Sequence, residues 1–237
     1  MITVLARPGS VAVNAELELP DEEAHHLKVR RAVDDEPLRV LDGAGAVATG
    51  RLRWQGKYAM VAIGTMSAAP EPPRLTLAVG AGDKERFGWL ADKAAELGVT
   101  DLVPLLTEHT GSVANRIRAI HVDKLTARAR ETLKQCGAGW APRVHAPVSI
   151  TDLLREPLPG LRWLAQPGGR TPSAALGEEA VTVVVGPEGG LTTGEIDHLL
   201  ADRFEPIALA APILRFETAA LSAAAVIAAA RLRGARD

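Results

Sequence analysis

Residues 183–196 read VVVGPEGGLTTGEI, and three glycines fall within the five-residue turn 186–190. Gly186, Gly189 and Gly190 carry no Cβ and tolerate positive φ, so the amides and carbonyls around them can approach a bound molecule directly. Pro187 and Glu188 stiffen the turn and add a carboxylate. An ordinary strand-to-helix connection needs fewer glycines, and ligands of α/β proteins gather at strand ends, so a binding turn is the expectation. A second group of residues able to do chemistry lies in IALAAPILRFETAAL, where Arg215 and Glu217 bring a cation and a carboxylate to an expected helix start. Taken singly, such a pair is most often solvated. Two strand-end loops standing side by side in a parallel sheet, however, are expected to share a ligand. Neither loop is followed by GKS or GKT and neither is GxGxxG, so no P-loop or dinucleotide fingerprint is present.

The elements that must position these loops follow from pattern. Thr192 and Glu195 have the spacing of a capping box, which sets a helix start directly after the glycine turn. The runs LTLAVG, DLVPLL, RWLAQ, VTVVVG and EPIALA alternate with helical segments such as RFGWLADKAAELG and residues 121–135. That alternation predicts a parallel sheet with helices on both faces. In RFGWLADKAAELG, Leu90, Ala94 and Leu97 share one face and Gly98 is placed to end the helix. Ahead of the proline-rich SAAPEPPR, the short runs ELELP, PLRVLDG, AVATGRLRW and YAMVAIG predict a small β-rich domain. The expected division is therefore residues 1–68 and 73–237, with a linker between.

Composition narrows the class. With 237 residues, 47% hydrophobic and 24% charged, the chain can bury a core without metals or disulfides, and its single cysteine, Cys136, excludes an intramolecular bridge. The amino terminus lacks the pattern of a signal peptide, and no run approaches the roughly 18 apolar residues of a membrane span. A reducing, cytoplasmic setting without membrane contact is expected. The net charge of −2 gives no global attraction to nucleic acid, so any such binding must use a local face. Lys28, Arg30 and Arg31 form the densest basic cluster, and Arg51, Arg53 and Lys57 surround Trp54. These suit phosphate contact with Trp54 able to stack, although acidic residues are as frequent there and a lone tryptophan is more often packed. His25 and His26 have no companions at ligand spacing, and no metal site is expected.

GPEGGL with the following EI, and LRFETAAL some twenty residues later, resemble the ribosomal RNA small subunit methyltransferase E family of the SPOUT superfamily, which methylates N3 of a uridine. AGDKERFGWLADKAAELGVTDLVPL is similar to that family's segment running from GDK to ELGV, and ETLKQCG to its EQSGR or KQSRR segment. EEAHHLKVRRAVDDEPLRVLDG resembles the family's amino-terminal pattern, so nearly the whole chain is covered.

The resemblance implies an α/β fold whose carboxy-terminal parallel sheet is tied in a trefoil knot, preceded by a small PUA-like β-barrel, in a homodimer. It implies S-adenosylmethionine in the knot loops, held by Gly186, Pro187, Glu188, Gly189 and Gly190, by Leu209, Ala210, Ala211, Ile213, Leu214 and Arg215, and by a third wall at Ala165, Gln166 and Pro167. Arg215 and Glu217 would be catalytic, one stabilising negative charge and the other accepting a proton. The partner would be small-subunit ribosomal RNA or the assembled subunit, met by Lys28, Arg30, Arg31, Arg51, Arg53 and Lys84.

The chain departs from the family pattern at Ala210, Ala211, Pro212 and Phe216, where glycine, proline, arginine and threonine are expected, and at Ala138, where arginine is expected. A missing glycine threatens the pocket if positive φ is required there, and a missing arginine weakens contact with RNA. Two other classes fit the residues: an assembly factor that has lost methyl transfer, and a nucleotide- or phosphate-binding metabolic enzyme on a doubly wound sheet.

Overall fold

The computed structural model describes residues 1–112, 115–172 and 176–234, which form two compact units. The first comprises Met1–Pro72 together with Arg130–Ala141, and the second Pro73–Ala129 together with the chain from Pro142 onward.

The first unit is a five-stranded sheet built from β1 (Ile2–Leu5), β2 (Glu16–Glu18), β3 (Pro37–Leu41), β4 (Ala46–Gln55) and β5 (Tyr58–Ala68), in the order β1-β3-β4-β5-β2. Only β1 and β3 run parallel. Alternate residues such as Leu38, Val40, Leu52, Val61 and Ile63 enter its core, the period-2 burial expected of a sheet with one wet face. A helix absent from the sequence reading, α1 (Asp21–Val29), packs there through Ala24 and Leu27. Its acidic first turn and basic last turn suit the helix dipole. The segment 130–141 joins this unit through a second small cluster, Leu5, Leu41 and Leu133, with Ala138 packed against it. Lys134 Nζ lies 2.9 Å from Glu23 Oε1, both side chains largely buried. Ala138, an apparent lost arginine, is thus an apolar packing residue.

The second unit carries a seven-stranded parallel sheet. Its elements are β6 (Leu75–Gly80), α2 (Lys84–Glu96), β7 (Asp101–Leu106), the first half of α3 (Val122–Cys136), whose residues from Arg130 on belong to the first unit, β8 (Arg143–Val144), β9 (Val148–Ser149), α4 (Ile150–Arg155), β10 (Leu161–Arg170), β11 (Val181–Val185), α5 (Thr193–Ala201), β12 (Glu205–Ile207) and α6 (Phe216–Gly234). The strand order is β12-β10-β11-β6-β7-β8, with β9 also on β7. Both faces are covered. Leu75, Leu77, Val181, Val183 and Trp163 meet α2 and α6 on one side, while Ala78, Val103, Leu105, Leu164 and Val184 meet α4 and α5 on the other. This explains why β6 and β11 are buried at every position rather than alternating.

One expectation is corrected here. The two carboxy-terminal strand ends do not stand side by side, because β10 lies between β11 and β12. Chain order does not dictate spatial order when each crossover can pass over an existing strand. No helix of the described residues is long and apolar enough to cross a membrane.

Candidate active site

Three adjacent strand ends in the second unit build one cavity of about 550 Å³. The middle wall comes from β10. Ala165 and Arg170 both pair with Ile207, so the four residues between them bulge from the ladder and carry Gln166 and Pro167 to the cavity. A Cβ on Gly169 would lie 2.6 Å from the Ile207 nitrogen, so glycine is required for this approach.

The second wall is the glycine turn after β11, contributing Gly186, Pro187, Glu188 and Gly190. Gly190 adopts φ +72° and its amide donates to the Pro187 carbonyl at 2.8 Å. The turn is fastened from two sides. A Cβ on Gly80 would meet Pro187 Cα at 2.7 Å, and one on Gly189 would meet His109 Cβ at 2.9 Å. His109 Nδ1 donates to the Gly190 carbonyl at 3.0 Å. The capping box forms as read from the sequence: Thr192 Oγ1 accepts from the Glu195 amide, and Glu195 Oε2 from the Thr192 amide at 2.9 Å. The other oxygen of Glu195 accepts from the Glu108 amide at 2.9 Å. One carboxylate therefore fixes both the helix start and the 3-10 turn Glu108–Ser112 that carries His109.

The third wall, after β12, presents Leu209, Ala210, Ile213, Leu214 and Arg215. Within the described residues no amide of 209–214 donates a hydrogen bond, so this main chain is open to solvent or ligand. Gly189 and Ala211 lie in the loops but off the cavity wall. Neither Ala210 nor Ala211 has positive φ, so the missing glycine introduces no strain. Phe216 is 3% exposed and its ring stacks on Phe87 of α2 at 6.4 Å between centroids. It anchors α6 in the core, a task threonine would not perform.

Charge around the cavity is uneven. Arg215 is exposed on the wall and no described residue pairs with its guanidinium. Glu217 is 7% exposed and does not line the cavity. Its Oε1 lies 3.8 Å from Arg86 Nη1, and Oε2 is buried without a hydrogen-bond partner. Glu188, also on the wall, has its Oε1 engaged, accepting from the Asp83 amide at 3.2 Å. Asp83 caps α2 by accepting the Glu85 and Arg86 amides. The Arg86 amide is the main influence holding its carboxyl below the usual value, outweighing burial. Arg86, which lines the cavity from the first turn of α2, was missed in the sequence. The available signal was its position, because a cation is disfavoured at a helix amino terminus and needs a reason to be there.

The residues expected to meet RNA are divided between the units. Lys28 Nζ sits 5.4 Å over the Trp54 ring and donates to the Lys57 carbonyl. Trp54 Nε1 donates to the Ala32 carbonyl at 3.1 Å, so one ring edge is committed to packing. Arg51 pairs with Asp35 and Arg53 with Glu16, while Arg30 and Arg31 are exposed at the end of α1. Lys84 is exposed on α2, in the second unit. Among the described residues no group of three or more His, Cys, Asp or Glu is arranged to hold a metal ion.

With this geometry in hand, comparison with known proteins gives a consistent result. Residues 69–228 match the model of the RNA methyltransferase domain. The chain is 30% identical over 226 residues to ribosomal RNA small subunit methyltransferase E of Synechocystis sp., covering 91% of this chain and 73% of that protein. A putative methyltransferase from Legionella pneumophila, solved with the cofactor SAM, superposes with TM-score 0.84 at 27% identity, covering 97% of this chain and 98% of that one. Ribosomal RNA small subunit methyltransferase E from Neisseria gonorrhoeae, bound to S-adenosyl methionine, does so with TM-score 0.79 at 26% identity, covering 96% of each. A cavity walled by three adjacent strand ends and these likenesses lead to one statement: the chain belongs to the RNA methyltransferase domain family, in the group of ribosomal RNA small subunit methyltransferase E.

Proposed function

We propose that this protein transfers a methyl group from S-adenosylmethionine to N3 of a uridine in small-subunit ribosomal RNA. The observation that carries the reading is the unpaired main chain of 209–214 on a cavity of about 550 Å³, in a chain of this family. That volume lies within the range of small-molecule sites. The cradle fits the donor: the main chain of 209–214 and of Gly186 is uncovered for an adenine edge, and Pro167, Leu209 and Ile213 offer apolar wall. When bound, the donor supplies an electrophilic methyl carbon on a sulfonium, whose electron pair stays on sulfur as the carbon–sulfur bond breaks.

The protein's share of the work is positioning and electrostatics. As N3 loses its proton, negative charge spreads onto the two flanking carbonyl oxygens of the uracil. Arg215, exposed on the wall and unpaired, is suited to stabilise that charge. Holding nitrogen and methyl carbon in line should supply most of the remaining acceleration. Glu217 was read from sequence as the proton acceptor. Because it is buried off the cavity wall, we assign it instead the support of a cation in that wall, with the N3 proton leaving to solvent.

Around this centre the family resemblance supports a trefoil knot in residues 73–237, a PUA-like barrel in residues 1–68, a homodimer and action in the cytoplasm. Arg30, Arg31 and Lys84 are the freest of the proposed RNA contacts, since Arg51 and Arg53 already pair with acidic neighbours. The test is nucleoside mapping of ribosomal RNA from cells lacking the protein, with calorimetric titration of the purified protein by S-adenosylmethionine. Loss of one N3-methyluridine and saturable binding are expected. An unchanged modification map would refute the reaction, and absence of binding would refute the cofactor site.

A further inference from the structure

Arg86 stands in the first turn of α2, three residues after the cap Asp83, at the positive end of the helix dipole. It lines the cavity, and its side chain is 41% exposed. The 3.8 Å separation from Glu217 makes an ion pair without a hydrogen bond, and its five donors are bonded to no described residue. Glu217 is the complement of this: its side chain is 9% exposed, and one oxygen is fully buried with no partner. A buried carboxylate with half its capacity unused is destabilising, and a free guanidinium beside it is a group waiting for an anion.

We propose that Arg86 is a further ligand-contacting cation of this site, which hydrogen-bonds an anionic oxygen of the bound reactants, and that Glu217 is its positioning residue. The inference rests on the methyl-transfer reading for the identity of those reactants. Two sources offer the same chemistry: the carboxylate of the methyl donor, and the uracil carbonyl oxygens that gain charge as N3 is deprotonated. No bond beyond those of the proposed reaction is made or broken.

The test compares Arg86→Met, Arg86→Lys, Glu217→Gln and the Arg86→Met/Glu217→Gln double variant with the wild type. If the donor carboxylate is the partner, Arg86→Met weakens calorimetric binding of S-adenosylmethionine on the order of tenfold but leaves binding of decarboxylated S-adenosylmethionine unchanged. If the uracil oxygens are the partner, donor affinity holds and turnover at saturating donor falls about 100-fold. Arg86→Lys should recover part of either loss, since lysine keeps the charge without the planar fork. Thermal melting of the ligand-free protein reads the pair itself: Arg86→Met lowers the melting temperature, and adding Glu217→Gln to it brings the temperature back up. Full affinity and full turnover in Arg86→Met would overturn the contact, and additive melting losses would overturn the positioning role. A wild-type protein that binds the donor but methylates no ribosomal RNA would instead overturn the underlying reading, separately from these outcomes.

Discussion

Two carboxylates of the second unit, Asp101 and Glu217, are equally buried at 7% exposure and differ in every other respect. Asp101 begins β7, at the amino ends of the parallel strands. Its oxygens meet His145 Nε2 at 2.7 Å, Thr100 Oγ1 at 2.9 Å and Arg74 Nε at 3.5 Å. Burial alone would push its carboxyl up, but the hydrogen bonds from His145 and Thr100 and the charge of Arg74 outweigh it and hold the group below its ordinary value of 3.8. Glu217 lies at the opposite, cavity-bearing side, with one loose ion pair and an orphan oxygen. The satisfied carboxylate is a structural fastening. The unsatisfied one keeps an acceptor without a partner beside a cation of the cavity wall, the arrangement on which the proposed role of Arg86 rests.

That contrast can be broken at four places, beginning with the largest effect. Arg215→Ala should reduce methyl transfer to ribosomal RNA by about 100-fold or more while shifting donor affinity little and melting temperature hardly at all; a single-turnover assay alongside calorimetry checks this. Gly80→Ala should affect both properties, because its methyl overlaps Pro187 in the glycine turn on the cavity wall. A stability loss of about 1–3 kcal/mol, accompanied by weakened donor binding, is expected from urea unfolding and titration. Asp101→Ala should cost about 2 kcal/mol, reduced from the value for a fully buried pair because Arg74 is half exposed, with turnover per folded molecule unchanged. Its folded pKa is lowered, so the stability it provides is complete above about pH 4 and fades as pH falls through the folded value. Acid unfolding of Asp101→Ala should show a correspondingly flatter dependence. Thr192→Ala, which removes half of a capping box, should cost about 1 kcal/mol, readable as a small drop in melting temperature.

The sequence located much of this in advance because local rules governed it. Pairing is parallel from β12 through β8, and the apolar runs anticipated β6, β7, β10, β11 and β12, though not the two-residue strands β8 and β9. The helix starts at Thr192 and near Phe216 follow from capping and periodicity. The glycine turn and the loop after β12 meet at one cavity, with Gln166 and Pro167 as its middle wall. Arg86 and His109 were not found, since Arg86 meets the cavity only because α2 packs beside loops remote in the chain and His109 acts on it through Gly190. Helix α1 was missed because its apolar face is only Ala24 and Leu27 among charged residues, too sparse for a periodic signal. The packing of 130–141 on the first unit likewise depends on Leu133 and Lys134 finding Leu41 and Glu23.

Residue type and spacing by themselves determined where backbone would be left uncovered, where helices would start, and that strands would be buried on both faces, because each depends on a few neighbours along the chain. Tertiary structure alone decided that β10 would part β11 from β12, that Glu217 would be sealed away from the cavity while Arg86 lined it, and that Ala210 needs no left-handed backbone. Burial and charge pairing are properties of the space a side chain enters, and that space is assembled from segments no local window contains.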